Sequence, residues 1–266
     1  MSSVERRSVA SLALLYNVRM LGLFMVLPVL ALYADTFAGA TPTLIGVALG
    51  VYGLTQASLQ IPLGWLSDRI GRKPVIIGGL LVFAAGSVVA ALAESIQGII
   101  LGRALQGAGA IASSVMALVA DLTSREQRTK AMAVVGASIG LAFALALVLG
   151  PLIAGMGGLE AVFGVTAALA LLGFVVVLWQ VPDPPRSGVT YTEVGTRPRL
   201  FRASLRNGTL LRLDIGIFVL HFVLMASFQI VPGALESVVG LAREHHWQIY
   251  LPAVVLSVLG ILPMMR

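Results

Sequence analysis

The chain contains the loop Gly64-Trp65-Leu66-Ser67-Asp68-Arg69-Ile70-Gly71-Arg72-Lys73-Pro74 between two long apolar segments. Charged side chains are expensive to hold beside the hydrocarbon of a bilayer, so a cluster of them at this place indicates a function. Asp68 and Arg72 are four residues apart with the acid first, which is the favoured order for an ion pair on a helix. Gly64 and Gly71 permit close helix packing and a tight turn, which a loop that only orients the chain in the membrane does not require.

The composition indicates a membrane protein. The chain is 58% hydrophobic and 11% charged, with a mean hydropathy of +0.95, whereas soluble domains carry about 25% charged residues. Its apolar runs are continuous rather than alternating, which favours an all-α helix bundle over a β-barrel. The absence of cysteine excludes disulfides and thiolate sites.

Apolar segments long enough to cross a bilayer, which takes roughly 20 residues, follow one another along the sequence. The predicted spans are 9–34, 44–66, 74–93, 96–122, 131–156, 159–181 and 213–235. An eighth apolar run begins near Trp247 and continues to the last residues, which predicts that the chain is a fragment of a longer protein. We expect a six-helix bundle at 1–181, a cytoplasmic linker at 182–212 and the beginning of a second bundle at 213–266.

The basic residues of the loops fall on one side of this predicted topology. They lie in the N-terminal tail and in the second, fourth and sixth loops, whereas the opposite loops contain only Arg243. The positive-inside rule therefore predicts a cytoplasmic N-terminus, and the expected location is the inner membrane of a bacterium. The same rule explains a sequence pI of about 10.3 without a nucleic-acid partner, and it argues against a seven-helix receptor, whose N-terminus lies outside the cell.

Three basic side chains lie inside predicted spans. Arg19 either snorkels towards the cytoplasm or faces a central cavity. Arg103 either snorkels outwards or packs in the interior, and the glycines that follow it favour the interior. His221 is either a hydrogen-bonded packing residue or a proton carrier, since its unperturbed pKa suits that task. No Asp or Glu falls in the middle of a span, so we expect an acidic proton carrier only in the part that is missing.

Sites for catalysis are not evident in the sequence. Metal-ligand spacings, a Ser-His-Asp constellation and a Walker loop are all missing, and His245-His246 beside Glu244 is too small a set for a metal. We therefore expect no enzyme activity, no cofactor and no metal.

Five segments carry a resemblance to a known family. The pattern Gly-x-Leu-x-Asp-Arg-x-Gly-Arg-Lys at 64–73 resembles the signature loop between helices 2 and 3 of the major facilitator superfamily, and Arg103 with Gln106-Gly107-Ala108-Gly109 resembles a second motif of that family. Gly150-Pro151 with Gly155 is similar to its antiporter motif, although Ala154 replaces a glycine of the pattern. The stretches 19–30 and 50–57 are closer still to the YajR-type proton-driven drug exporters of bacteria.

The resemblance implies a secondary transporter that is a monomer when complete and works by alternating access. Its expected partners are the lipid bilayer, protons and a small amphipathic molecule that proton influx drives out of the cell. A transporter of the same fold that imports a sugar or metabolite remains an alternative.

The resemblance also implies roles for individual residues. In a cytoplasmic latch, Asp68 would pair with Arg72 and cap a helix of the other half; the latch comprises Gly64, Asp68, Arg69, Gly71, Arg72 and Lys73. Asp121 either joins this pair as a charge relay or is an interfacial acid beside Arg125. Arg103 would take part in proton coupling, with Arg19 and His221 as further proton-coupling or cavity residues. The expected helix-packing residues are Gly107, Gly150, Pro151 and Gly155.

Overall fold

The computed structural model describes residues 3–182 and 206–261 of the chain and confirms the all-α fold. Its helices are α1 (Ser3–Tyr33), α2 (Pro42–Ile70), α3 (Arg72–Ala91), α4 (Ile96–Ala108), α5 (Ala112–Asp121), α6 (Arg128–Gln180), α7 (Gly208–Ser237) and α8 (Trp247–Ile261). Short 3₁₀ turns at Ala34–Thr36 and Arg243–His245 follow α1 and precede α8. Most of the predicted linker lies outside the described residues, as do the last residues of the sequence.

Local sequence sets the ends of these helices. At the start of α2, the Thr41 hydroxyl accepts a hydrogen bond from the Leu44 amide at 3.2 Å, and Pro42 occupies the first helical position. Gly71, with φ of 102°, separates α2 from α3 in a conformation that other residues rarely adopt. At the start of α7, the Asn207 side chain caps the first turn, so this helix begins at Gly208 rather than at the predicted residue 213.

The 53-residue helix α6 is two predicted spans joined by a break. Gly157 and Gly158 have non-helical backbone angles, and φ of Gly158 is +65°. This break lies between the predicted spans 131–156 and 159–181. Six helical segments of the described residues are long and apolar enough to cross a membrane, and α6 is long enough to do so twice.

The fourth predicted span matches the apolar segment Ile96–Asp121, which is long enough to cross a membrane, but it contains a break. It consists of α4 and α5, separated at residues 109–111. Gly109 lies against α3, where a Cβ on it would approach the Phe83 amide nitrogen at 3.0 Å. Its carbonyl accepts a hydrogen bond from the Arg19 guanidinium at 3.1 Å instead of continuing the helix. A contact from a distant helix therefore breaks this span.

The first bundle is formed by α1 to α6, with α1 packed along α6. Its buried side chains form two apolar clusters, one around Leu12, Leu80 and Phe83 and the other around Leu30 and Phe163. Large apolar side chains remain exposed on its outer surface, which is the expected surface of a helix bundle in lipid, where burial of apolar groups from water is not required.

Helix α7 contacts this bundle only along its second part. Phe228 and Pro232 are buried, and the Gln229 side chain donates to the Pro42 carbonyl at 3.5 Å. Residues 206–223, in contrast, are exposed. We name the two ends of the molecule. At the Arg72 end, α2 and α5 end and α7 begins. At the Arg243 end, α1 and α7 end.

Candidate functional site

A charge cluster lies at the Arg72 end, formed by Asp68, Arg72 and Asp121 (the Arg72 cluster). The Arg72 guanidinium pairs with Asp68 of α2, and its Nε lies 3.3 Å from an Asp121 carboxylate oxygen at the end of α5. Its Nη1 donates to the Ser67 hydroxyl at 2.8 Å. Only 12% of the Arg72 side chain is exposed. The three charged residues that the sequence singled out are thus in contact, and all of them belong to the first bundle.

The glycines of this loop allow the cluster to form. Gly71 provides the turn with positive φ that places Arg72 at the start of α3 directly after α2. Gly64 lies beside α5, where a Cβ on it would stand 3.2 Å from the Ser113 hydroxyl. That hydroxyl donates to the Gln60 carbonyl at 3.2 Å, which holds α5 against α2.

The other two basic residues of the loop point elsewhere. The Lys73 ammonium donates to the Val181 carbonyl at 2.9 Å and so joins α3 to the residue that follows α6. The Arg69 guanidinium lies 3.6 Å from the centre of the Trp65 ring, in a cation–π contact. The loop therefore contains one ion-pair network and two separate basic contacts.

A cavity of about 730 Å³ lies between the first bundle and α7. Its wall is largely apolar and includes Met20, Leu23, Phe24, Phe222 and Met225. A small number of polar side chains also face it: Tyr52, Gln56, Arg103, His221 and Gln229. An apolar pocket with a few polar groups is the usual form of a site for a small organic molecule.

Arg103 lies in the wall of this cavity and is fully buried. Its Nη1 donates to Gln106 at 2.7 Å, its Nε donates to the Ala48 carbonyl at 3.4 Å, and the guanidinium lies 4.7 Å from the centre of the Tyr52 ring. Gln106 in turn donates to the Ser87 hydroxyl at 2.8 Å. These contacts exclude the alternative that Arg103 snorkels to the outer surface.

Arg19 is also buried, with 1% of its surface exposed, so it does not snorkel. It does not itself line the cavity, but it contacts Tyr52, which does. Its guanidinium turns to the junction of α4 and α5, where it donates to the Gly109 carbonyl and, at 3.4 Å, to the Tyr52 hydroxyl. Tyr52 thus lies between Arg19 and Arg103.

His221 lines the cavity from α7. Its Nδ1 lies 2.8 Å from the Ile217 carbonyl one turn earlier. The other ring nitrogen is left for a ligand or a proton donor. Of the predicted proton-coupling or cavity residues, Arg103 and His221 share the cavity from opposite walls.

The predicted packing glycines lie where helices cross closely. A Cβ on Gly107 would come closer than 3.0 Å to the Tyr52 carbonyl of α2, and one on Gly150 would stand 2.6 Å from the Met25 carbonyl of α1. Pro151 is buried beside Gly150. Gly155 packs against Glu244, with a Cβ distance of 2.9 Å, so it joins α6 to the turn before α8.

A second charge cluster at the Arg243 end was missed by sequence reasoning. The Arg243 guanidinium lies 2.8 Å from the Glu236 carboxylate and 3.6 Å from that of Asp35 (the Arg243 cluster), and it donates to the Leu32 carbonyl at 2.6 Å. Its hydrogen bond with Glu236 raises the pKa of Arg243. Because Leu32 lies in the last turn of α1, Asp35 follows α1 and Glu236 lies at the end of α7, this cluster joins the first bundle to the second.

A buried histidine lies beside this cluster. His246 directly follows the 3₁₀ turn; one ring nitrogen lies 3.2 Å from the Leu241 carbonyl, and the other has no hydrogen-bond partner among the described residues. Its ring packs edge-on against Tyr250 of α8. Burial lowers the pKa of His246, against weaker raising effects of Glu236 and Glu244. The imidazole is therefore neutral at pH 7.

Residues 12–265 match the family model of the Major Facilitator Superfamily. The chain belongs to this superfamily of membrane transport proteins. It is 50% identical over 263 residues to the inner membrane transport protein YajR of Escherichia coli K12, covering 99% of the chain and 58% of YajR. It is 34% identical to the class B tetracycline resistance protein of Escherichia coli over 66% of the chain and 44% of that protein.

The fold agrees with this assignment. A bacterial homologue of the human lysosomal transporter Spinster, in an inward-facing and unoccupied conformation, superposes with a TM-score of 0.83 at 18% identity, over 98% of the chain and 62% of that structure. The chain spans less than two thirds of the length of these relatives. Membership of the superfamily excludes the receptor alternative and confirms that the chain is not an enzyme.

Proposed function

We propose that the chain comprises the first half, and the beginning of the second half, of a proton-coupled transporter that exports small amphipathic compounds by alternating access. The observation that carries this proposal is the cavity between the first bundle and α7, with a charge cluster at each end of the molecule. An apolar wall with few polar groups suits amphipathic compounds of varied shape, and methionine side chains such as Met20 and Met225 adapt to them. The resistance protein among its relatives supports export rather than import.

The proposed orientation places the N-terminus and the Arg72 end in the cytoplasm, in the inner membrane of a bacterium. The charge distribution of the loops supports it, because Arg69, Arg72 and Lys73 share one end with Arg125 and Arg128, whereas Arg243 is at the other end. In the described conformation the two bundles touch near Arg243, while residues 206–223 of α7 are exposed at the Arg72 end. The cavity would then face the cytoplasm, ready to take up a compound for export.

The two charge clusters would control the two ends in turn. The Arg243 cluster holds the outer end closed in this conformation and has to separate for release. The Arg72 cluster would act once the cytoplasmic end has closed, when the Asp68 carboxylate meets the N-terminus of a helix in the second half. The ion pairs of Arg72 with Asp68 and Asp121 hold that carboxylate in place.

Proton coupling would pass through the cavity. His221 lines the cavity from α7, opposite Arg103, and is the histidine that the described part of the cavity wall offers as a proton carrier. Protonation of His221 and binding of a compound in the same cavity would then be coupled.

Transport in sealed inside-out vesicles that contain the full-length gene product tests the proposal. We would acidify the lumen, which corresponds to the cell exterior, and follow three amphipathic dyes (anionic, neutral and cationic). Accumulation of at least one dye in the lumen, abolished by a protonophore, is the expected result. If no dye moves against its gradient, while a sugar or metabolite is taken up with protons in right-side-out vesicles, the importer of the same fold replaces the exporter.

A further inference from the structure

Two guanidinium groups lie buried inside the first bundle without an acidic partner. Arg19 and Arg103 are 1% and 0% exposed. The ion pairs among the described residues involve Arg72 and Arg243, at the two ends, and no described carboxylate lies within 4.0 Å of Arg19 or Arg103. Buried cations are normally paired, because the loss of hydration destabilises an isolated charge.

Neutral groups satisfy these two cations only in part. Arg103 donates to an amide oxygen of Gln106 and to a carbonyl, and it stacks on Tyr52. Arg19 donates to the Gly109 carbonyl, at the C-terminal end of α4, which offers a partial negative charge. Its Nε and Nη1 are buried and have no hydrogen-bond partner among the described residues. Among the described residues, the interior beside the cavity therefore carries two positive charges. Only the partial negative charges of carbonyl, amide and hydroxyl oxygens and of an aromatic ring offset them.

The charge of Arg103 lies in the cavity wall, although its side chain is fully buried. Tyr52 and Gln56 line the same cavity. The Tyr52 hydroxyl accepts from Arg19 and donates to Gln56, and the Arg103 guanidinium stacks on the Tyr52 ring, so Tyr52 contacts both cations. Across the cavity, Gln229 offers an amide.

From this arrangement we propose that the cavity binds an amphipathic organic anion, with its acidic group beside Arg103, Tyr52 and Gln56. The proposal rests on the proposed transport function and names its substrate class. Arginine binds carboxylate, sulfonate and phosphate groups through charge-assisted hydrogen bonds, which are stronger where water is excluded. The apolar body of the anion packs on Phe24, Phe222 and Met225. A cation of the same shape is repelled by the two guanidinium groups.

Equilibrium binding to the purified full-length gene product tests the substrate class without any need for transport. Three fluorescent probes share one ring system: anthracene-9-carboxylate, anthracene-9-carboxamide and 9-(aminomethyl)anthracene. We expect the carboxylate to bind about tenfold more tightly than the neutral amide, since one charge-assisted hydrogen bond supplies about that factor. The aminomethyl cation binds more weakly than either.

Gln56→Glu is the informative variant, because it keeps the acceptor for the Tyr52 hydroxyl and adds one negative charge beside Arg103. We expect it to remove the preference for the carboxylate, while the matched control Gln56→Leu, which is uncharged, retains that preference. Arg103→Gln removes the preference and Arg103→Lys retains it, in proteins whose melting temperature shows that they fold. If Arg103→Gln does not fold, Gln56→Glu still decides.

Equal affinity for the carboxylate and the amide, tighter binding of the cation, or no binding of the carboxylate up to its solubility limit would each overturn the proposal. A preference for the cation would mean that an acidic residue outside the described part neutralises Arg103. These outcomes are independent of the proposed function, since binding requires neither a proton gradient nor a direction. An anion preference without proton-driven export would contradict the exporter and leave the substrate class intact.

Discussion

The two charge clusters of this protein have similar chemistry but connect different parts of it. In the Arg72 cluster, α2, α3 and α5 of one bundle supply every charge. In the Arg243 cluster, Asp35 and the Leu32 carbonyl belong to the first bundle, and Glu236 belongs to the second. Relative motion of the bundles therefore leaves the first cluster intact and breaks the second. In the proposed transport cycle, the Arg72 cluster is therefore a rigid support and the Arg243 cluster is a contact that would have to open.

The largest effect is expected from Asp68→Asn in the full-length gene product. It removes one carboxylate from Arg72 and the charge proposed to meet a helix of the second half, so we expect transport to fall to background while the protein still inserts. Vesicle transport and the amount of protein in the membrane measure the two quantities. Glu126→Gln is the matched control, because Glu126 is an exposed acid at the same end and outside the cluster. Near-normal transport by Asp68→Asn would contradict the role of the Arg72 cluster.

A smaller but specific effect is expected from Arg243→Gln, which removes the contacts to Asp35, Glu236 and the Leu32 carbonyl. Residues 1–266 contain no cysteine, so once any cysteine elsewhere in the full-length gene product is replaced, a single cysteine at Gln229, behind this contact, reports access from the Arg243 end. We expect a membrane-impermeant maleimide to label this cysteine about tenfold faster in Arg243→Gln, because the loss of one charged hydrogen bond shifts the equilibrium towards the open conformation by about that factor. Glu160→Gln, an exposed acid at the same end, serves as the control. Equal rates would show that the Arg243 cluster does not hold this end closed.

A pH effect follows from His246. Its pKa in the closed conformation is below the ordinary value of 6.5 because the ring is buried, so acid favours the open conformation, in which the ring is hydrated and can take up a proton. We expect labelling of the cysteine at residue 229, divided by the labelling of an exposed reference cysteine at the same pH, to rise about threefold as the external pH falls from about 7 to about 5.5.

The neighbouring histidine provides the control for this pH effect. His246→Asn removes the pH dependence, whereas His245→Asn, which alters an exposed side chain beside it, retains it. A pH profile that is unchanged in His246→Asn would assign the effect to Glu236, Arg243 or Glu244, which also surround the ring.

The smallest effect is expected from Asp35→Asn. Its carboxylate is 58% exposed and lies 3.6 Å from Arg243, so solvent screens the pair. The hydrogen bond from Arg243 to the Leu32 carbonyl remains, and we expect labelling to rise by no more than about twofold. A change as large as that of Arg243→Gln would show that the ion pair, rather than the backbone contact, joins the two bundles.

The sequence was sufficient to predict the pair of Asp68 and Arg72 in this cluster because its information is local, whereas the place of Asp121, 49 residues from Arg72, was left open. Asp68 and Arg72 are one helical turn apart, and Gly71 marks the turn between their helices. The break of α6 at Gly158 and the burial of Arg103 could also be predicted from the sequence, because glycines lie at the break and directly after Arg103. The Arg243 cluster depends on residues far apart in the sequence. The one feature that could have indicated it is that Arg243 is the single basic residue on the side of the membrane where Asp35 and Glu236 end their spans.

Long-range packing also explains two features of the fold that the sequence did not reveal. The break between α4 and α5 arises where Gly109 meets α3 and Arg19, a contact that no local pattern of the fourth span reveals. For the same reason, Arg19 faces that junction rather than the cavity. Helical periodicity can place a side chain on a face, but the neighbour of that face depends on how the helices pack.

Distances between the two bundles, measured at both ends by pulsed electron paramagnetic resonance, test the central claim most directly. One spin-label pair would occupy residues 36 and 239 at the Arg243 end, and another would occupy residues 126 and 209 at the Arg72 end, in the full-length gene product. We predict that Arg243→Gln lengthens the first distance and shortens the second, whereas Glu160→Gln changes neither. Two distances that stay the same in Arg243→Gln would contradict the claim that the Arg243 cluster joins the bundles and opens during transport.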